Sequence, residues 1–110
     1  MPKFEARDKK LFIDDKEVLR AWESYSGWYW FATEKVEERK AGSENGGSMI
    51  DGREVDDVIW FGLVQGFEDE WGEFSQAEIE SLKPKAWEIP KINLPISGRR
   101  VEREAPGENL

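Results

Sequence analysis

Two stretches of the chain are apolar on both phases of a two-residue alternation. In residues 27–35, Trp28, Trp30 and Ala32 alternate with Tyr29, Phe31 and Thr33. In residues 57–65, Val58, Trp60, Gly62 and Val64 alternate with Ile59, Phe61, Leu63 and Gln65. A strand with one wet face would show polar residues on one phase. These two segments therefore predict central strands covered on both sides and paired with each other. Gly62, in mid-strand, predicts a bulge or a bulky aromatic packed across it.

Weaker signals flank this pair. Residues 10–13 read as a short strand, and residues 1–9 as a loose arm or an edge strand with Phe4 as its one large apolar side chain. Residues 14–24 fit two templates. Asp14 as N-cap with Glu17 predicts a helix with Val18, Leu19, Trp22 and Tyr25 on one face. Alternatively Asp14–Glu17 form a hairpin turn and residues 18–23 form a strand, which is the preferred reading. Residues 24–27 are turn chemistry. Charged residues 36–40 extend the aromatic strand, and the Gly/Ser-rich run 41–48 predicts a flexible loop. Asp51-Gly52 predicts a tight hairpin between residues 48–50 and 53–55. Residues 66–70 connect to a short return strand at 71–74.

Ser75 with Glu78 makes a capping box, and Phe74 with Ile79 a hydrophobic staple, so a short helix begins after Ser75. Pro84 ends it near Leu82. Residues 86–89 predict a last strand. Ile92, Leu94 and Ile96 alternate around Pro95 and predict an edge segment. The fold class is α+β: an antiparallel, strongly curled sheet of about five strands with one short helix, a partly closed barrel being the variant. One domain spans residues 1–97, followed by a disordered tail over 98–110.

Composition narrows the chemistry. The 110 residues include neither Cys nor His. Disulfides, thiolate metal sites, His general bases and Ser–His–Asp hydrolases are excluded. No apolar leader or membrane-length run appears, so a cytoplasmic location is expected, with no membrane partner. Lys+Arg 16 against Asp+Glu 24 leaves a net charge of −8. Direct nucleic-acid binding is not expected of so acidic a chain. The charge density and lack of Cys lean towards a thermophile's cytosol. No phosphate-binding glycine loop is present, and no cofactor is expected.

Four constellations remain. Residues 66–80 carry Glu68, Asp69, Glu70, Glu73, Glu78 and Glu80 with no Lys or Arg. This run is a cation site, a contact patch for a basic partner, or a solvated hairpin tip. Residues 83–103 are basic, with Arg99 and Arg100 as candidate anion ligands. Glu34 with Asp56 or Asp57 is a candidate acid–base pair for glycoside hydrolysis, with Trp28, Trp30, Trp60 and Trp71 as sugar platforms. Trp 6, Phe 6 and Tyr 2 exceed what one face of a small sheet needs, which leaves either an aromatic-rich core or an exposed aromatic patch for a protein partner or a homodimer. Trp71, Glu68, Asp69, Glu70 and Glu73 are the partner-binding candidates.

Residues 28–34 and 59–82 resemble a family of small domains of unknown function carried on bacterial plasmids and integrative elements. The likeness spans residues 18–82. It rests on Thr33-Glu34 ending an aromatic strand, on Phe61-Gly62-Leu63-Val64, and on Gly66, Glu68, Glu70, Gly72, Phe74 and Ser75. Glu73 departs from an aromatic position, and the loop from Val36 to Asp56 is longer. The resemblance favours the strand reading of residues 18–23 and implies no activity. The functional expectation is a protein-binding or adaptor module. The alternatives are a DNA-mimicking antagonist of a DNA-binding protein, motivated by the net charge and the mobile-element likeness, and a carboxylate-dependent hydrolase.

Overall fold

The computed structural model describes residues 2–101, with side chains through Gly98. Its centre is the pairing of β5 (Tyr29–Arg39) with β8 (Asp57–Gln65). Antiparallel partners β4 (Arg20–Ser24) and β9 (Asp69–Ser75) flank them, and β10 (Ala86–Glu88) closes the far side on β4. The five-stranded order is β10-β4-β5-β8-β9.

At Gly62, β8 has no room for a side chain against β5. A Cβ there would lie 1.8 Å from the Phe31 carbonyl oxygen. The register breaks at the same place, between Ala32 and Glu34, and again between Lys35 and Glu37. The bulge expected from a glycine in mid-strand is thus carried by the partner strand.

The alternation sorts side chains into two cores. On one face, Ala21, Phe31 and Leu63 pack with Phe4, Leu11, Ile13, Val18, Ile89 and Leu94. That cover comes from β1 (Phe4–Arg7), β2 (Lys10–Ile13) and β3 (Lys16–Glu17), which form a small antiparallel sheet, and from helix α2 (Leu94–Val101). On the other face, Trp22, Ala32 and Trp60 pack with Ile79 and Ala86, flanked by Trp30, Val58 and Phe74. Here the cover is helix α1 (Gln76–Glu80), started by Ser75, whose Oγ accepts from the Glu78 backbone N–H at 3.1 Å.

A third, two-stranded ribbon pairs β6 (Ser48–Ile50) with β7 (Arg53–Val55) across Asp51-Gly52. The Gly/Ser loop before it is tied down by carboxylates. Glu54 accepts from the N–H groups of Gly42 and Gly47, and Asp56 from that of Ala41. The two glycine N–H bonds hold the Glu54 carboxyl below its ordinary value.

Three sequence expectations need correction. The main sheet is open, neither closed nor strongly curled, and the described residues form ten strands in three sheets. The reason lies at Val18-Leu19, where the chain changes sheet. The Val18 N–H donates to Leu11 O at 2.8 Å, and the Leu19 N–H to Ala32 O at 2.7 Å. The first strands therefore form a separate layer instead of extending one curled sheet. Asp14 and Asp15, with φ of 50° and 66°, make the turn that sends β3 back along β2. The strand reading of residues 18–23 holds over Arg20–Ser24.

The second correction concerns Ile92, Leu94 and Ile96. They do not line an edge; they fall in a 3-10 turn (Lys91–Asn93) and in α2. Leu94 is buried while Ile92 and Ile96 are exposed. Pro95 sits in the first turn of α2, where a missing N–H costs nothing. Third, α2 continues past Gly98, the predicted start of the tail, and Gly98 packs against Leu11. Residues 102–110 of that predicted tail lie outside the described residues.

Gly62→Ala should lower stability by about 3 kcal/mol, because backbone has to move to admit the methyl group. Its cross-strand neighbour Gly72 has nothing within 4 Å of an added Cβ. Gly72→Ala should stay within about 0.5 kcal/mol of wild type. Urea unfolding of both variants checks the pair.

Candidate functional site

Helix α1 has five residues and spans only about 7–8 Å at 1.5 Å per residue. β8 has nine and runs about 30 Å. The helix therefore covers the Trp22–Trp60 part of its sheet face and does not reach the other end. That end is built from the half-buried Trp28, Trp30 and Val64, the exposed Glu70 and the β8–β9 turn.

The register places these side chains. Trp22, Trp30, Val64 and Glu70 lie opposite one another in a row across β4, β5, β8 and β9. The turn before β5 adds Trp28. Its backbone N–H donates to Ser24 Oγ at 3.2 Å, and its carbonyl accepts from the Ser24 N–H at 2.9 Å. The Trp28 ring lies 6.0 Å from that of Trp30 and 5.4 Å, edge to face, from that of Phe67. Gly66 makes room for it: a Cβ there would sit 2.4 Å from the Trp28 ring. Phe67 is 95% exposed. Trp28, Val64, Gly66, Phe67, Glu68 and Glu70 enclose an open groove of about 290 Å³.

Two features give this groove its character. Its apolar surface is mostly aromatic, with Phe67 exposed and Trp28 and Val64 half-buried. Its charges, Glu68 and Glu70, are both negative, and among the described residues neither takes part in an ion pair.

The five predicted partner-binding residues divide. Glu68 and Glu70 reach the groove. Asp69, Trp71 and Glu73 alternate to the opposite face of β9. Trp71 packs on the first core, stacks on Phe61 at 6.0 Å and has Lys16 Nζ 5.1 Å over its ring. Asp69 accepts from Gln65 Nε2 at 3.2 Å, which braces the turn from behind. Sequence reasoning missed Phe67 as a site residue. Its signal was a large ring in a turn, between Gly66 and three carboxylates.

The candidate acid–base pair does not converge. Glu34 lies opposite Phe61 in the register, four residues along β8 from Asp57, or about 13 Å. The separations that serve glycoside hydrolysis are about 5–9.5 Å. Asp57 is also committed elsewhere. It is buried and accepts from Ser48 Oγ and Ser75 Oγ, both at 2.6 Å, and from the Val58 and Ala77 N–H groups at 2.7 and 2.8 Å. It thereby joins the β6–β7 ribbon, the start of α1 and β8. Burial pushes its carboxyl up, but the four hydrogen bonds together outweigh burial and hold it below the ordinary Asp value. Among the described residues no group of three acidic side chains is placed to hold a metal ion. Arg99 and Arg100 fall within α2; Arg103 lies outside the described residues.

No family model, curated protein or solved structure matches the chain. No helix among the described residues is long and apolar enough to cross a membrane.

The geometry of Asp57 has a pH signature. Its stabilisation is complete above about pH 4, the unfolded value, and is lost as pH falls through its lower folded value. Asp57→Asn should cost about 2 kcal/mol at pH 7. That gap should narrow below about pH 4, as measured by denaturant unfolding at a series of pH values.

Proposed function

We propose that this protein is a protein-binding module that docks a partner at the end of its main sheet that α1 does not reach. The observation that carries the reading is Phe67, an almost fully exposed ring edge-on to Trp28, at the mouth of a groove floored by Trp28 and Val64. Large exposed aromatics grouped around a concave surface are what binding hot spots are made of. Nothing in the packing of either core calls for a ring at this position. The other exposed apolar side chains include Tyr25 in the turn before β5, Met49 on the β6–β7 hairpin and Ile92 beside α2, none of them as exposed as Phe67.

The DNA-mimic alternative draws less support. Such a mimic needs carboxylates in a row, and the alternation of β9 sends Glu70 to one face and Asp69 and Glu73 to the other. The likeness to plasmid-borne domains suggests no activity for either reading.

Immobilised wild type, Phe67→Ser and Met49→Ser are to be compared on nuclease-treated native lysate by quantitative mass spectrometry. Phe67→Ser removes a solvated ring, so the fold should persist. A stoichiometric protein should be retained by wild type and Met49→Ser and drop at least about tenfold with Phe67→Ser. Equal retention by all three, or no retained protein, overturns the reading.

A further inference from the structure

Aromatic rings in this protein repeatedly carry a cation. Arg7 Cζ lies 4.0 Å over the Phe12 ring and pairs with Glu5 and Asp15 at 3.4 and 3.3 Å. Lys16 Nζ lies over Trp71. Arg20 Cζ lies 5.2 Å from the Trp22 ring and grips Glu88 with two bonds of 2.6 and 2.7 Å. That third case is the fullest: one guanidinium, one indole and one carboxylate on the same sheet face as the groove. Hydrogen bonding to Glu88 raises the Arg20 guanidinium above its ordinary value.

The Trp28–Trp30–Phe67 group has the same two components, indole faces and carboxylates, and no cation among the described residues completes it. Glu68 and Glu70 line the groove, and no Lys or Arg lines it. We infer that the groove takes an arginine side chain from a basic segment of the protein partner, its guanidinium on the Trp28 ring and its N–H groups on Glu68 or Glu70. This inference rests on the docking reading above and specifies the chemistry of its partner.

Arginine suits the site better than lysine. Its planar cation is weakly hydrated, stacks on an indole, and offers a carboxylate two parallel donors. A bidentate charged pair against a ring is also the arrangement this chain already builds at Arg20, Trp22 and Glu88. The surrounding charge assists, since a protein of net charge −8 draws a basic segment towards it. An acidic or apolar partner would instead leave Glu68 and Glu70 desolvated without compensation.

The test uses fluorescein-labelled Gly-Ser-Arg-Gly-Arg-Ser-Gly and the same peptide with citrulline or glutamate at both arginine positions. Anisotropy is read on the full chain at two salt concentrations. The arginine peptide should bind at least about tenfold tighter than the citrulline peptide, and more weakly at the higher salt. Glu68→Gln with Glu70→Gln should weaken it by about tenfold, and Phe67→Ser should weaken all residual binding. Equal binding of the three peptides, or no binding of the arginine peptide to wild type, overturns the inference, as does full affinity in the double glutamine variant. The two readings fail differently. If partner capture depends on Phe67 but survives the double glutamine change, the arginine assignment falls and the docking face stands. If capture ignores both changes, the face itself falls.

Discussion

The structure is governed by one constraint: the β5–β8 pair is apolar on both faces, and each face has to be taken out of water. A fully buried ring on these strands removes ~150–250 Å² of surface from water, and a half-buried one correspondingly less. At about 25 cal/mol per Å² that is several kcal/mol per ring. The rest of the chain is arranged as cover. Strands β1–β3 with Val18, Ile89 and α2 close one face. α1 and Ala86 close part of the other. What stays open is decided by how much cover the chain supplies.

The supply on the second face is limited by covalent facts. Ser75 caps α1, and Pro84 bars continuation beyond the preceding residue. Asp57 then pins the start of the helix against β8 and the β6–β7 ribbon, so α1 cannot slide along the sheet towards Trp28. At the far corner Arg20 spans β4, β10 and α1 through Glu88 and Gln76, and Gln76 also accepts from Trp60 Nε1. These contacts hold the helix over Trp22 and Trp60. The open groove at Trp28, Val64 and Phe67 is the consequence of a short helix locked at one end of a long strand.

Much of the fold was legible because it is local. Alternation over residues 57–65 predicts β8 from end to end, and Asp51-Gly52 predicts the hairpin it makes. Ser75 and Glu78 predict the helix start. Helix α2 was not legible, because Ile92, Leu94 and Ile96 carry a period-two pattern and Pro95 masks a helix beginning. Leu94 alone of the three is buried, so the alternation had no common face to report. The separate β1–β3 sheet was hidden for another reason. A switch of hydrogen-bond partners between Val18 and Leu19 involves backbone groups alone and leaves no trace in side-chain identity. Of the candidate site, the run of carboxylates and the aromatic excess were visible. Which carboxylates belong with which rings was not.

By itself, the sequence determined the two-faced central strands, the absence of thiol and imidazole chemistry, the helix start at Ser75 and the acidity of the β8–β9 turn. Those are properties of residue type and near-neighbour spacing. Only the tertiary structure decided that Glu68 and Glu70 stand with Trp28 and Phe67 while Asp69, Trp71 and Glu73 turn inward or away. It also decided that Asp57 is a structural hub, far along the strand from Glu34. Both outcomes depend on strand register and on where α1 comes to rest. A one-residue slip in register would exchange the faces of every side chain on β9.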